Sequence, residues 1–378
     1  MTAPPSFDFI IVGAGIAGAS TAHWLAAFGR TVILERESQP GYHTTGRSAA
    51  QFITSYGPPQ ARRLSLASLP FFVNPPAGFS DTPLLKKRAV LAVAGPGQQT
   101  QLDEAWQAVQ SVCDTGRQLT ADEVCALVPA LRRDRVIGGV LEPESWDMDV
   151  AAMHQGYLRG ARQQGAQLWC DAEVESGTFD AGQWHLRLRD GRRVSAPVVI
   201  NAAGAWGDVL ATACGVRPLG LVPKRRTAFM FASPAGMASD DWPLVHGVDG
   251  GWYFKPDAGQ LLGSPANEDP MPPQDVQPED IDVALAVDRI ETATTMVVRP
   301  RRAWAGLRSF VPDEGLVGGF DDAAPGFFWC VGQGGYGIQT SAAMGQACAH
   351  LAAGRPLPDA LGVHGIDAAL LSPQRLRI

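Results

Sequence analysis

One stretch near the N-terminus limits the fold more than any other. Phe9-Ile10-Ile11-Val12 is an apolar run of strand length, followed at once by Gly13-Ala14-Gly15-Ile16-Ala17-Gly18. The pattern predicts a helix to about Phe28, closed by Gly29, then a second strand, Thr31-Val32-Ile33-Leu34, with Glu35 and Arg36 at its end. Each glycine has its own duty in such a unit. Gly13 makes the tight turn, Gly15 lets a pyrophosphate approach the backbone, and Gly18 lets the helix lie close to the strand. The helix start, at Ile16 and Ala17, offers free N–H groups and positive partial charge to phosphates. Glu35 stands 17 residues after Gly18, where a carboxylate can accept hydrogen bonds from both ribose hydroxyls. An acid there also repels a 2′-phosphate, which disfavours NADP. A lone G-x-G-x-x-G is weak; between two strands and an acid it marks a Rossmann-type α/β unit.

The rest of the chain is consistent with a globular protein around a bound ligand. Its 378 residues suggest two or three domains at roughly 150 residues each. Net charge is −7 and the pI about 5.5, which argues against nucleic acid or an anionic membrane as partner. No apolar run approaches the roughly 18–20 residues that span a bilayer. Met1 to Ser6 lacks the positive and apolar regions of a signal peptide. The six cysteines form no C-x-x-C pair and the seven histidines show no ligand spacing, so no metal site is expected. Reduced thiols fit the cytoplasm, or its face of the inner membrane, as the location.

The first motif does not distinguish NAD from FAD; the sequence after it does. Gly41-Tyr42-His43-Thr44-Thr45-Gly46-Arg47-Ser48-Ala49-Ala50 supplies N–H groups, hydroxyls and a guanidinium suited to further phosphate and flavin contacts. With His154-Gln155-Gly156-Tyr157-Leu158-Arg159-Gly160, Asn201-Ala202-Ala203-Gly204-Ala205-Trp206, Pro223-Lys224-Arg225-Arg226, Trp304 to Phe310 and Gln333 to Thr340, it resembles the D-amino-acid oxidase superfamily over nearly the whole chain. Within that superfamily the resemblance points to bacterial D-arginine dehydrogenase. The resemblance implies non-covalent FAD, since no Cys precedes Phe310-Val311-Pro312-Asp313. It also implies two discontinuous domains: FAD-binding over 1–80, 148–220 and 320–378, and substrate-binding over 81–147 and 221–319, the latter built on an antiparallel sheet. The backbone at Val174 would bracket the adenine, and Ala203, Gly204 and Trp206 would turn toward the cofactor.

A second match, Gly332-Gln333-Gly334-Gly335-Tyr336-Gly337, follows the apolar run Phe327 to Val331 and precedes an Ala-rich helix near Gln339. No acid stands at the distance a second dinucleotide would need, and about 40 residues remain. Gly334, Gly335, Tyr336, Gly337, Ile338, Gln339 and Thr340 are therefore read as flavin contacts. Elsewhere, residues 88–94 read as a strand, 98–130 as helical, Asp149 as the cap of a helix to about Gln164, and 269–281 as a surface loop.

Oxidation of an amine beside a flavin needs few protein groups. A carboxylate anchor fixes the substrate, and the Cα hydride passes to flavin N5 from the neutral amine. Arginine matches a carboxylate bidentately. Arg308 is the first candidate and Arg226 the second, with Tyr253 offering a phenol. The resemblance puts Tyr56 on a mobile loop able to cover the site. It also places Val90 where the arginine-preferring relative has an acid, and Gln51 where it has a histidine, with Gly335 beside the substrate. Leaving a guanidinium unpaired against Val90 would cost on the order of 3–5 kcal/mol, so neutral or apolar D-amino acids are expected over D-Arg and D-Lys. The expected activity is a D-amino acid dehydrogenase passing electrons to a quinone, dye-like or protein acceptor. An oxidase making peroxide, an enzyme for N-methylated or cyclic amino acids, and a non-catalytic flavoprotein stay open.

Overall fold

The computed structural model describes residues 5–377; Met1–Pro4, most of the stretch weighed as a leader, lie outside them. The apolar runs become the centre of a six-stranded sheet in the order Val317–Phe320, Phe327–Val331, Val198–Asn201, Phe9–Val12, Thr31–Leu34, Gln167–Trp169. All pairs are parallel except Val317–Phe320 on Phe327–Val331. Parallel strands are covered on both faces, which is why these read as unbroken apolar runs. On one face Phe9, Ile11, Ile33, Ile200 and Phe328 pack under the helices Ile16–Leu25, Val150–Gln163 and Ser341–Ala352. On the other, Ile10, Val32, Val199, Phe327 and Trp329 meet Trp184, Leu186 and Val194 of a three-stranded antiparallel sheet. The chain is thus a Rossmann-like α/β layer joined to a sheet-rich second part.

That second part is a nine-stranded sheet. Its main path runs Asp269–Pro270, Val222–Phe231, Gln260–Ser264, Tyr253–Asp257, Leu244–Gly247, Val90–Ala94, Gly138–Glu142, Arg117–Thr120, and Arg302–Phe310 pairs along Val222–Phe231. It is mixed rather than purely antiparallel, because Leu244–Gly247 runs parallel to Val90–Ala94. One face buries Phe229, Phe231, Phe254 and Leu261 under the helix Asp280–Ala293. The opposite face carries Val90, Ala228, Tyr253 and Leu262.

Two local expectations are corrected. The stretch 98–130 is not one helix: Gln99–Gln110 ends before Gly116, Arg117–Thr120 joins the sheet edge, and Ala121–Leu127 begins afresh. Thr120 and Glu123 supply the reason, a reciprocal capping box that starts a new helix there. The polar stretch 269–281 is not all loop. Asp269–Pro270 pairs with Lys224 and Arg225, and a helix begins at Asp280. Its buried face is Asp282, Ala286 and Ile290, and Asp282 is buried because it pairs with Arg225 at 2.8 Å. A buried ion pair hides the apolar period that would reveal the helix. The Asp149 cap is as expected: its side chain accepts from the Ala152 N–H at 2.9 Å at the head of Val150–Gln163. Among the described residues no helix is long and apolar enough to cross a membrane.

Burial lowers His23, boxed by Trp24, Phe71, Phe79 and Tyr157, from 6.5 to about 4, and burial also lowers His154 and His246. Between these values the unfolded chain binds more protons than the native one. The stabilisation is therefore full above pH 6.5 and is lost as pH falls toward 4. The melting temperature should fall as pH drops from 7.5 to 5, and H23L, which cannot titrate at that position, should show a shallower fall. An equal slope in both proteins would refute this assignment to His23.

Candidate functional site

A cleft of about 1650 Å³, part of it open to solvent, runs from the carboxyl ends of the six-stranded sheet to the nine-stranded one. This is the crevice where open α/β sheets place ligands. The first glycine motif builds one wall. Gly13 has φ +106°, and a Cβ there would meet the Ala202 carbonyl oxygen at 2.4 Å. A Cβ on Gly18 would fall 1.9 Å from the Gly13 oxygen, so helix and turn touch backbone to backbone. At Gly15 only the Thr45 hydroxyl stands near, at 3.2 Å, and the space beyond it belongs to the cleft.

Side chains from distant segments organise this wall. Glu35, buried, accepts from the Ala14 N–H at 2.8 Å and the Glu37 N–H at 3.0 Å. Its carboxylate is thereby fixed at the cleft edge, and each oxygen still has room for a second donor. Thr45 accepts from the Ile16 N–H at 2.9 Å, which puts a hydroxyl at the helix start. His154 bonds the Ala14 carbonyl oxygen through Nε2 at 2.8 Å. Arg36 lies 4.9 Å over the Trp206 ring, giving a flat cationic platform near Val174 and Glu173.

The loop 41–50 crosses to the other part of the molecule. Arg47 does not point freely at a phosphate site. Its guanidinium donates to the carbonyl oxygens of Val276 (3.0 Å) and Ala305 (3.1 Å) and to Asp275 (2.5 Å), while Trp304 donates to its carbonyl oxygen at 3.0 Å. Arg47 is a tie between the two sheets that also lines the cleft. Ala50 holds a φ of +35°, unusual without glycine.

The far end of the cleft carries the charged groups. Lys224 pairs with Arg308 across the antiparallel ribbon and Arg226 with Gly306, so Lys224, Arg226 and Arg308 share one face while Arg225 takes the other. Arg225 is held there by Asp282 and Glu279. Arg226 donates to the Asn267 carbonyl oxygen and to Glu268, each at 2.8 Å. Burial, and then the charge of Arg308 beside it, lower the basicity of Arg226 below the ordinary arginine value. Arg308 donates to the Tyr56 hydroxyl oxygen at 3.1 Å, leaving that O–H free to donate onward. Tyr253 lines the same end. Gly335 packs against both partners: a Cβ there would lie 2.5 Å from the Tyr56 oxygen and 2.9 Å from an Arg308 nitrogen.

Of the residues picked from sequence, Gly13, Gly15, Ile16, Ala17, Glu35, Arg36, Thr45, Arg47, Ser48, Ala49, Val174, Ala203, Gly204 and Trp206 line the cleft. So do Arg226, Tyr253, Arg308, Gly334, Gly335, Gly337 and Ile338. Both glycine motifs therefore face one cavity, as expected of a single cofactor. Gly18, Gly46, Ala50, Tyr336, Gln339 and Thr340 stand behind the wall. Gln339, for example, bonds both the N–H and C=O of Ile53 at 3.1 Å. Val90 packs with Ala228 and Tyr253 rather than lining the cleft itself, and Gln51 donates to the Arg88 carbonyl oxygen at 3.0 Å with its own Oε1 unpaired. Sequence reasoning missed Glu268, and quoted His43 and Gln333 only inside longer runs without assigning them to the site. An isolated acid before a two-residue edge strand gives no local signal of pairing with Arg226.

The chain matches the DAO family, described as FAD dependent oxidoreductase, over residues 8–351. It is 25% identical to FAD-dependent oxidoreductase domain-containing protein 1 of Bos taurus, over 92% of this chain and 81% of that one. Its fold is similar to L-proline dehydrogenase from P. horikoshii, with TM-score 0.83, 18% identity, and coverage of 99% and 98% of the two chains. It is also similar to glycine oxidase from Geobacillus kaustophilus, with TM-score 0.81, 20% identity, and coverage of 93% and 95%. The residues present suit FAD. Gly13, Gly15 and the helix start can take a pyrophosphate, Glu35 a ribose, the Arg36–Trp206 platform an adenine, and the loop 333–338 a flavin ring.

Glu35→Ala removes the acceptor of two N–H groups and the carboxylate placed to take a ribose. FAD affinity should fall by about tenfold or more, at roughly 1.5–3 kcal/mol for hydrogen bonds to a charged group. Titration of the apoprotein with FAD by flavin fluorescence measures this. Unchanged affinity would show that Glu35 serves the turn alone.

Proposed function

The chain belongs to the DAO family of FAD-dependent oxidoreductases, and from that premise we propose that it oxidatively deaminates amino acids, preferring D-amino acids with neutral or apolar side chains. The amino acid gives up two electrons and two protons to become the imino acid. Water then converts the imino acid to the 2-oxo acid and ammonia. FAD, when bound, supplies the two-electron acceptor.

One observation carries the reading: two guanidinium groups, Arg226 and Arg308, stand together at the far end of the cofactor cleft with Tyr253, and Tyr56 meets Arg308 there through its hydroxyl. Glu268 balances only part of that charge. An incoming carboxylate supplies the missing anion, and a planar fork can grip both its oxygens. Tyr56, its oxygen already taken by Arg308, donates its O–H to the same carboxylate. With the acid end held there, the α-carbon faces the loop of Gly334 and Gly335. The ammonium proton leaves to solvent.

The side-chain subsite is assigned to the apolar face of the nine-stranded sheet, where Ala49, Ala228 and Tyr253 line the cleft and Val90, Met230, Trp304 and Ile53 pack in the same cluster. Glu142 pairs across from Val90 in the ladder, but both its oxygens already accept from Thr54 and Ser55. A cationic substrate side chain would meet no free acid there and would add to the two arginines' field. The proposed grip is thus joined to a pocket that offers a cationic side chain no partner. The electrons go on to a quinone, dye-like or protein acceptor. FAD is held without a covalent bond, in keeping with a cleft that none of the six cysteines lines.

The experiment is an anaerobic panel of D- and L-amino acids watched for flavin bleaching, followed by steady-state rates with a dye and with O₂. D-Leu, D-Met or D-Phe should exceed D-Arg in kcat/KM by on the order of 100-fold, from an unpaired cation costing roughly 3 kcal/mol. Dominant use of D-Arg or of L-amino acids overturns the specificity, and peroxide formed as fast as dye is reduced makes the protein an oxidase. Arg308→Ala should lower kcat/KM by on the order of 50-fold or more, two charge-assisted bonds being lost, with Arg308→Lys intermediate. Acid precipitation should leave the flavin in the supernatant.

A further inference from the structure

Tyr56 can meet Arg308 only if the short segment before it is held, and the holding group comes from another sheet. Glu142 ends the strand Gly138–Glu142 and is 2% exposed. Its Oε1 accepts from the Thr54 N–H (2.9 Å), the Thr54 hydroxyl (2.5 Å) and the Ser55 N–H (3.3 Å). Its Oε2 accepts from the Ser55 hydroxyl at 2.5 Å. Four donors from two consecutive residues thus converge on one carboxylate group. One residue earlier, the Gln339 side chain takes the Ile53 N–H and gives to the Ile53 carbonyl oxygen, both at 3.1 Å, with Ser65 bonding its nitrogen at 2.7 Å. One residue later than Tyr56, Gly57 has φ +89° and lies against the Tyr336 ring, where a Cβ would come within 2.9 Å. Residues 53, 54 and 55 are each tied, and Tyr56 leaves this anchor with its hydroxyl 3.1 Å from Arg308.

We propose that Glu142 is a positioning residue for substrate binding: it sets Tyr56 on Arg308 by anchoring Thr54 and Ser55, and so turns a segment expected to be a mobile cover into a fixed part of the carboxylate grip. This rests on the reading of Arg308 and Tyr56 as that grip. Glu142 touches neither substrate nor cofactor, and its action passes wholly through residue 56. The buried N–H of Thr54 and the half-buried N–H of Ser55 lose their acceptor together, so removing the carboxylate moves the segment. Glutamine is a conservative replacement here. Its amide oxygen can serve both N–H groups while the Ser55 hydroxyl turns to accept from its NH₂.

The test compares Glu142→Leu, Glu142→Gln, Tyr56→Ala and the Y56A/E142L double variant as FAD-loaded protein. In E142L the KM for the best amino acid, and the Kd of benzoate as a carboxylate probe read by flavin absorbance, should rise by about tenfold or more while kcat changes by less than about threefold. E142Q should restore both to within about threefold of the parent, and the double variant should bind no more weakly than Y56A, the sign of action through one residue. Amide exchange should quicken over residues 53–57 in E142L and stay unchanged elsewhere. If E142L does not fold, T54V combined with S55A, which removes the two hydroxyl donors, takes its place, with the same direction expected. Unchanged KM and Kd, or effects of E142L and Y56A that simply add, would overturn the proposal. If the parent protein oxidises no amino acid, the functional reading has failed on its own, and exchange over 53–57 still decides whether Glu142 anchors the segment.

Discussion

Two like charges half-buried side by side need company. Arg226 and Arg308 stand on one face of the ribbon formed by Val222–Phe231 and Arg302–Phe310, and Arg226 is already made less basic by burial and by its neighbour. Breaking up a buried charge group strands its members at a cost of several kcal/mol. Glu268 relieves Arg226, while Arg308 relies on the Tyr56 oxygen, a neutral acceptor. The imbalance is the physical ground for proposing an anion at this end of the cleft. It also explains why so much of the surrounding structure holds these side chains still, since an unplaced guanidinium would turn to the nearest carboxylate.

The other end of the cleft rests on close backbone approach instead of charge. Gly13 against Ala202, and Gly18 against Gly13, bring two strands and a helix to contact distances no side chain allows. The strand Val198–Asn201 lies between the two glycine loops in the sheet, pairing with Phe9–Val12 on one side and Phe327–Val331 on the other. Both loops therefore open into one cavity. A dinucleotide reaching across it would meet phosphate-seeking amides at one end and the guanidinium pair at the other. Arg47 keeps that span constant, because its ties to Asp275, Val276 and Ala305 cross from the first loop to the second sheet.

How much of this could be read from sequence depended on whether the cause was local. The strand–glycine–helix unit, the Asp149 cap and the run Phe327–Val331 each carry their reason within a few residues. Both glycine loops, Glu35 and Arg308 were legible for that reason or through long matching blocks. The helix Asp280–Ala293 was not, since its buried Asp282 answers Arg225, 57 residues away. Within Lys224-Arg225-Arg226, Arg226 was singled out through a matching block, but the turn of Arg225 to the opposite face was not legible, because only the strand pairing decides it. Glu142 lies 88 residues from Thr54 and gave no sign of its use. The side chains behind the cleft wall, Gln339 among them, were taken as cofactor contacts because a motif names residues without telling front from back.

Register also limits how this site can change. Val90 and Glu142 stand directly opposite in an antiparallel pair, so their side chains share a face. An acid at position 90, the simplest way to welcome a cationic substrate, would sit across from a carboxylate that already serves as an anchor. Like charges directly opposite destabilise a sheet, and the relief would come from protonating one acid or pulling Glu142 off Thr54 and Ser55. Either outcome loosens Tyr56, which bonds Arg308. The proposed apolar subsite and the proposed carboxylate grip are thus linked choices. A chain that anchors its tyrosine through Glu142 has reason to keep position 90 neutral, whatever side chain its substrate bears.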